Sequence, residues 1–171
     1  MKKTLYIFLA VSLIFTACKK EEGCTDPIAS NYNADAEDDD GSCIYGIVGT
    51  WNPYEVSVTA SYTVSMGGLV IESFDTSYTQ SADEAGIEGD IEFTNDGTVI
   101  TTDDDGELEI DNYTISGNTI TITDSDGDSD IANYSVSKTN LSLTITDTET
   151  EIDFGAEITS TSEMTINSTR Q

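Results

Sequence analysis

The stretch Ile91–Ile122, IEFTNDGTVITTDDDGELEIDNYTISGNTITI, constrains the fold more than any other part of the chain. Two hairpin signals follow one another in it, with no helical segment between. Asn95-Asp96-Gly97 separates Ile91 and Phe93 from Val99 and Ile100. A two-residue turn at Gly117-Asn118 sets Ile115 opposite Ile120 and Tyr113 opposite Ile122, a single consistent apolar register. Leu108 and Ile110 fall on the opposite phase from Tyr113 and Ile115, which predicts a β-bulge near Asp111-Asn112. Turns at this interval make an antiparallel meander.

The flanking sequence continues in the same style. Tyr54, Val56, Val58, Ala60, Tyr62 and Val64 alternate with Glu55, Ser57, Thr59, Ser61 and Thr63, the pattern of a long half-buried strand. Gly67-Gly68 turns the chain into a second, less regular strand over 69–79. Residues 81–86 are the one expected helical turn. Beyond an acidic loop at 124–130, Tyr134 and Val136 pair with Leu143 and Ile145 across a turn at Thr139-Asn140. Ile152, Phe154, Ala156 and Ile158 form another strand, and Met164 and Ile166 the last. An open sheet of about ten strands curls or splits, and closure removes its edges. The expected fold is therefore all-β: an antiparallel up-and-down barrel of roughly eight to ten strands. A β-sandwich is the alternative, disfavoured by the local hairpins throughout.

The N-terminus carries targeting information. Lys2 and Lys3 precede an apolar run, Leu5 to Phe15, that matches a signal peptide and is too short to span a bilayer. It ends Phe15-Thr16-Ala17-Cys18, which resembles a bacterial lipobox, with Phe where Leu is usual. The resemblance implies cleavage after residue 17, lipidation of Cys18 and stable anchoring through its acyl chains. The adjoining Lys19-Lys20-Glu21-Glu22 resembles the export signal that sends lipoproteins of the Bacteroidetes group to the outer face of the outer membrane. The implied location is the cell envelope, as a surface-exposed outer-membrane lipoprotein. Losing Lys2 and Lys3 takes the formal charge from −27 to −29. A surface so acidic repels nucleic acid and anionic headgroups.

Two cysteines remain beyond Cys18. In an oxidising compartment Cys24 and Cys43 pair by default. That disulfide closes a loop of about twenty residues, for roughly 3 kcal/mol of stabilisation, in a segment too poor in apolar groups to build a core. Cys24-Thr25-Asp26-Pro27, Asn31-Tyr32-Asn33 and Asp39-Asp40-Gly41-Ser42-Cys43 resemble a short repeat of secreted Bacteroidetes proteins, here present once as a spacer. The expected organisation is thus a signal peptide over 1–17, a lipidated, disulfide-closed tether over 18–46 and a barrel over 47–171.

Asn31, Asn33, Asp35 and Asp39 place oxygen donors at alternating positions before a glycine, and Asp124, Asp126, Asp128 and Asp130 do so around Gly127. Both runs, and the acidic loop at 103–106, are candidates for Ca²⁺. Neither alternating run meets the EF-hand order, and Asn and Asp fold loops through their own backbone bonds equally well. No cofactor other than calcium is suggested.

Gly49-Thr50-Trp51 opens the first long strand. With the ordered hairpins after it, this start resembles lipocalins and the lipocalin-like lipoproteins of the Bacteroidetes group, in which the tryptophan plugs the closed end of the barrel. The resemblance implies a calyx for a small apolar or amphipathic ligand, with Tyr54, Tyr62, Tyr113 and Tyr134 as candidate lining residues and Trp51 as the barrel-end plug. Lipocalins lay an arginine from late in the chain over that tryptophan. Arg170, the single arginine, sits next to the last residue, a place that argues against the contact.

Catalysis is not expected. With no histidine there can be no Ser-His-Asp triad, no Cys-His pair and no His-ligated zinc, and carboxylates without a poised partner make no active site. The functional expectation is a monomeric, lipid-anchored envelope protein whose barrel binds a small hydrophobic ligand. The alternative is a non-catalytic surface interaction or structural lipoprotein.

Overall fold

The computed structural model describes residues 20–102 and 106–171. The expected signal peptide, Cys18 and the aspartates at 103–105 lie outside the described residues. The chain divides into two compact units between Gly46 and Ile47.

In the first unit, two-residue strands β1 (Glu22–Gly23) and β2 (Asp38–Asp39) pair in parallel. Cys24 and Cys43 are bonded, with their Cα atoms 4.8 Å apart. The loop between them is folded by its polar side chains, because it has almost nothing apolar to bury. Asn31 accepts from the Ile44 N–H and donates to the Ser42 carbonyl, both at 2.7 Å. Tyr45 donates to Asp26 at 3.0 Å.

The second unit is a single antiparallel sheet of nine strands. In chain order these are β3 (Gly49–Met66), β4 (Leu69–Ser81), β5 (Ile91–Phe93), β6 (Thr98–Thr102), β7 (Leu108–Ser116), β8 (Thr119–Thr123), β9 (Ser129–Val136), β10 (Asn140–Asp153) and β11 (Ala156–Arg170). A 3₁₀ turn, Asp83–Ala85, links β4 to β5. Each strand from β5 to β11 pairs with the next, and β11 returns to β3, so eight strands close a barrel. The ninth, β4, pairs only with β3, beyond the point where β5 leaves it.

Trp51, Phe93, Val99, Ile120 and Leu141, all but inaccessible to solvent, fill the barrel with Ile47, Ile91 and Leu143. The hairpin registers explain this convergence. Phe93 faces Val99, Tyr113 faces Ile122 and Ile115 faces Ile120, so the second hairpin pairs as its turn predicts. The β9–β10 turn lies at Lys138-Thr139, one residue earlier than expected, where the Ser137 N–H donates to the Asn140 carbonyl, so Tyr134 faces Leu143, Val136 faces Leu141 and Ile145 faces Ala132.

Three local expectations are corrected. The β6–β7 and β7–β8 ladders run without a shift through Asp111-Asn112. No bulge resets the phase there, and Leu108 and Ile110 simply face solvent. The irregularity falls instead in β3, opposite Asn167 and Ser168 of β11. Pro53 pairs with Ser168 and Glu55 with Asn167, which leaves Tyr54 as the extra residue. Trp51 and Pro53 therefore point inward below the bulge, Val56 and Val58 above it, and Tyr54 is 49 % exposed. Finally, Ile152–Ile158 is not one strand. Phe154 and Gly155 have φ of 47° and 84°, a primed turn that folds this stretch into the tip of the β10–β11 hairpin.

Candidate functional site

The strand lengths create the candidate site. β5, β6 and β8 have three, five and five residues, whereas β3, β4, β10 and β11 have 18, 13, 14 and 15. The long strands are neighbours, in the order β10-β11-β3-β4. They continue past the barrel rim as a four-stranded blade with solvent on both faces. At about 3.3 Å per residue, β3 runs roughly 55 Å from Gly49 to the blade tip.

Row by row, the inward face of the barrel becomes one face of the blade. The row Ile145–Met164–Val58–Tyr78 caps the core. Next come Asp147–Ser162–Ala60–Thr76 and Glu149–Ser160–Tyr62–Phe74. These two rows form a groove of about 330 Å³, with carboxylates on the β10 side, aromatic rings on the β4 side and small residues between. Tyr62 donates to Glu72, and that bond, before burial and the carboxylate's charge, holds its phenol above the usual range. The opposite face is a Ser/Thr surface with a shallow groove of about 460 Å³ that includes Thr59, Ser77, Thr161 and Glu163. Thr144–Thr165, Thr148–Thr161 and Thr150–Thr159 are bonded through their hydroxyls at 3.0, 3.2 and 3.3 Å.

The blade tip is apolar. Leu69, Val70 and Ile71 of the β3–β4 hairpin are 73, 64 and 61 % exposed, and Ile152 and Phe154 of the β10–β11 hairpin 80 and 98 %. The two hairpins are adjacent because Glu157 pairs with Ser65.

The four candidate tyrosines do not share a cavity. Tyr54 lies on the outer wall and Tyr62 on the blade. Tyr113 and Tyr134 pack against the filled core. Tyr113 meets Phe93 edge-on, with ring centroids 5.2 Å apart, and donates to the Thr94 carbonyl. Burial, then the charge of Asp96, raises its pKa. Asp96 itself accepts from the hydroxyls of Thr94 and Thr98, which hold its carboxyl below the ordinary value.

Of the calcium candidates, Asn31, Asn33 and Asp124 bond the backbone. Asp124 Oδ1 accepts from the N–H groups of Asp126, Gly127 and Asp128 at 2.8–2.9 Å. Asn33 accepts from the Asp35 N–H. Asp39 lies 3.6 Å from a sulfur of the disulfide, which has no proton to donate. Among the described residues, the acidic and sulfur-bearing side chains that converge are Cys24, Asp39 and Cys43, and the two sulfurs are committed to each other.

At the opposite end of β3, Arg170 lies over the Trp51 ring, 4.2 Å from its centroid. Its place next to the last residue does not keep it away, because β11 pairs with β3 along its whole length and sets Arg170 opposite Trp51. The guanidinium also donates to the carbonyls of Lys138 (3.0 Å) and Val48 (2.9 Å), and Trp51 donates to the Ile47 carbonyl. Burial lowers the Arg170 pKa. Gly49 makes room: a Cβ there would lie 2.6 Å from Arg170 Nη1.

Comparison with protein-family models, curated proteins and solved structures finds no match to this chain.

Proposed function

We propose that this protein is a non-catalytic, lipid-anchored protein of the cell envelope that engages a partner protein through the blade. In this reading the barrel is a lipocalin-like base that holds the blade rigidly. The Gly49-x-Trp51 start with Arg170 over the ring supports the lipocalin-like resemblance. The lipobox-like end of the leader supports the anchor and an outer-membrane location.

The observation that carries the interaction reading is where the exposed apolar surface lies. Among the described residues the barrel interior is packed with its own side chains, Trp51, Phe93, Val99, Ile120 and Leu141 at its centre, which favours the interaction reading over a calyx for a small ligand. Leu69, Val70, Ile71, Phe74, Ile152 and Phe154 are all more than half exposed on the blade. Apolar side chains gathered on two neighbouring hairpins in this way mark an interaction site.

Photo-crosslinking in the native cell tests the proposal. A photoreactive residue at Phe154 or Phe74 is expected to capture a discrete protein adduct, and one at Ile131 on the barrel wall is not. Equal capture at all three positions, or none on the blade, overturns it. Recovery of a stoichiometric small molecule from natively purified protein would restore the calyx reading instead.

A further inference from the structure

The free edge of β4 has its own chemistry, and a role for that edge in recognition rests on the interaction reading of the blade. The Ala82 N–H donates to the Tyr54 carbonyl at 3.2 Å. Given the β3–β4 register, this fixes the phase of the ladder: even-numbered residues from Phe74 to Gln80 turn their backbone groups toward β3. Ser73, Asp75, Ser77 and Thr79 turn theirs outward, a row of donors and acceptors spanning roughly 20 Å. No strand among the described residues pairs with that row.

Soluble proteins blunt such edges with proline, lysine, bulges or inward-pointing charge. From 72 to 81, β4 has no proline and no lysine, and its one register shift lies nearer the tip, at Val64/Ser65. The opposite edge of the blade is guarded, since β10 places Asp147, Glu149 and Glu151 on successive inner-face positions. The two edges of one sheet are thus treated differently.

Charge selects the occupant. The blade portions of the two long hairpins, residues 59–81 and 146–163, contain no lysine or arginine, and the whole chain carries −27. Pairing with a second copy would join two such surfaces. We propose that β4 is a docking strand for an extended, lysine- or arginine-bearing segment of another protein, which adds to the sheet beside it. Backbone bonds to the outward row give affinity, and Phe74 and Asp75, on opposite faces, receive alternate side chains. Phe74 offers a ring to apolar stems and cations, and Asp75 a carboxylate.

The test uses the detergent-purified full chain and an end-capped octapeptide of alternating lysine and valine, with the glutamate–valine octapeptide as control. The lysine peptide is expected to slow amide exchange at 73, 75, 77 and 79 at least tenfold, and to bind more weakly as salt rises. Ser77→Pro removes one outward N–H without touching the β3 ladder, and is expected to weaken binding at least tenfold with circular dichroism unchanged. Should Ser77→Pro perturb the sheet, Asp75→Lys keeps the backbone intact and is expected to weaken binding about fivefold. Protection elsewhere, equal binding of the glutamate peptide, or binding untouched by both substitutions overturns the proposal. So does self-association of the unliganded chain that Ser77→Pro abolishes, because the occupant would then be a second copy. Blade crosslinks in cells without peptide protection at β4 would overturn the edge assignment alone, whereas absent blade crosslinks remove the reading on which it rests.

Discussion

Replacing Gly49 and Arg170 by alanine, singly and together, dissects the closed end of the barrel. Arg170→Ala removes a cation from the Trp51 face, worth about 1–2 kcal/mol where partly desolvated. It also removes two charged donors to the Val48 and Lys138 carbonyls, for a total near 2–3 kcal/mol at this half-exposed position. Gly49→Ala acts twice. Its φ of 135° is a conformation that alanine adopts only at about 1–3 kcal/mol. The new methyl would also press on Arg170 Nη1 from 2.6 Å, displacing the guanidinium and forfeiting most of what Arg170 contributes. In the Arg170→Ala background only the backbone strain is left. The double variant should therefore be roughly 2 kcal/mol more stable than the sum of the singles predicts. Urea unfolding followed by Trp51 fluorescence measures all four proteins, and Arg170→Ala alone should lower the thermal midpoint by roughly 5–10 °C. Additivity within about 0.5 kcal/mol would mean that Gly49 and Arg170 do not meet, and the coupling between them would be disproved.

Ser168 is fully buried and its hydroxyl has no hydrogen-bond partner among the described residues, so Ser168→Ala should stabilise by up to ~1 kcal/mol; a lower thermal midpoint would show that the hydroxyl is bonded. Asp96 has a folded pKa below its ordinary value of 3.8, so its contribution is present above that pH and is lost as pH falls through the folded value. Asp96→Asn should flatten the acid limb of the stability profile followed through the Tyr113 side chain, and an unchanged limb would contradict this. Asp124→Ala strips three N–H groups of their acceptor and should cost about 1–2 kcal/mol, with Asn restoring part of it. Because those bonds close the loop without a cation, millimolar Ca²⁺ against chelator should leave the melting curve in place; a rise of several degrees would favour a calcium site there instead.

What could be read from the residues was local. The Gly117-Asn118 turn fixed its own register, and with it the inward placement of Ile120 and Ile122. Closure, too, followed from strand count and short turns. The failures share a cause, which is that alternation reports phase within one strand and nothing about what resets it. Tyr54 has the apolar period of Val56 and Val58, yet one extra residue at the bulge turns it out. Phe154 reads as strand because an aromatic residue is an unusual occupant of a positive-φ turn position. Arg170 reaches Trp51 only through a pairing between the two ends of the domain, which no local pattern encodes. The blade was illegible for a related reason. Its strands alternate like any half-buried strand, and only the lengths of their neighbours show that nothing covers them.

The blade is best understood from the row at which the core stops. Ile145, Met164, Val58 and Tyr78 form one continuous row, and at the next the residues become Asp147, Ser162, Ala60 and Thr76. Apolar size is lost in all four strands together. Beyond that row it returns at Tyr62 and Phe74 and then at Ile158 and Val64, while β10 turns acidic. Ordering these residues costs about 1–2 kcal/mol of backbone entropy each, and no buried core offsets it. Ladder bonds and the paired threonines, at roughly 0.2–1 kcal/mol per cross-strand pair, keep the extension in register. A barrel alone would be as well closed with both hairpins ended at the core row. The added length gives the barrel no further core, so its use lies in the surface it presents, and that surface is acidic on one edge and open to pairing on the other.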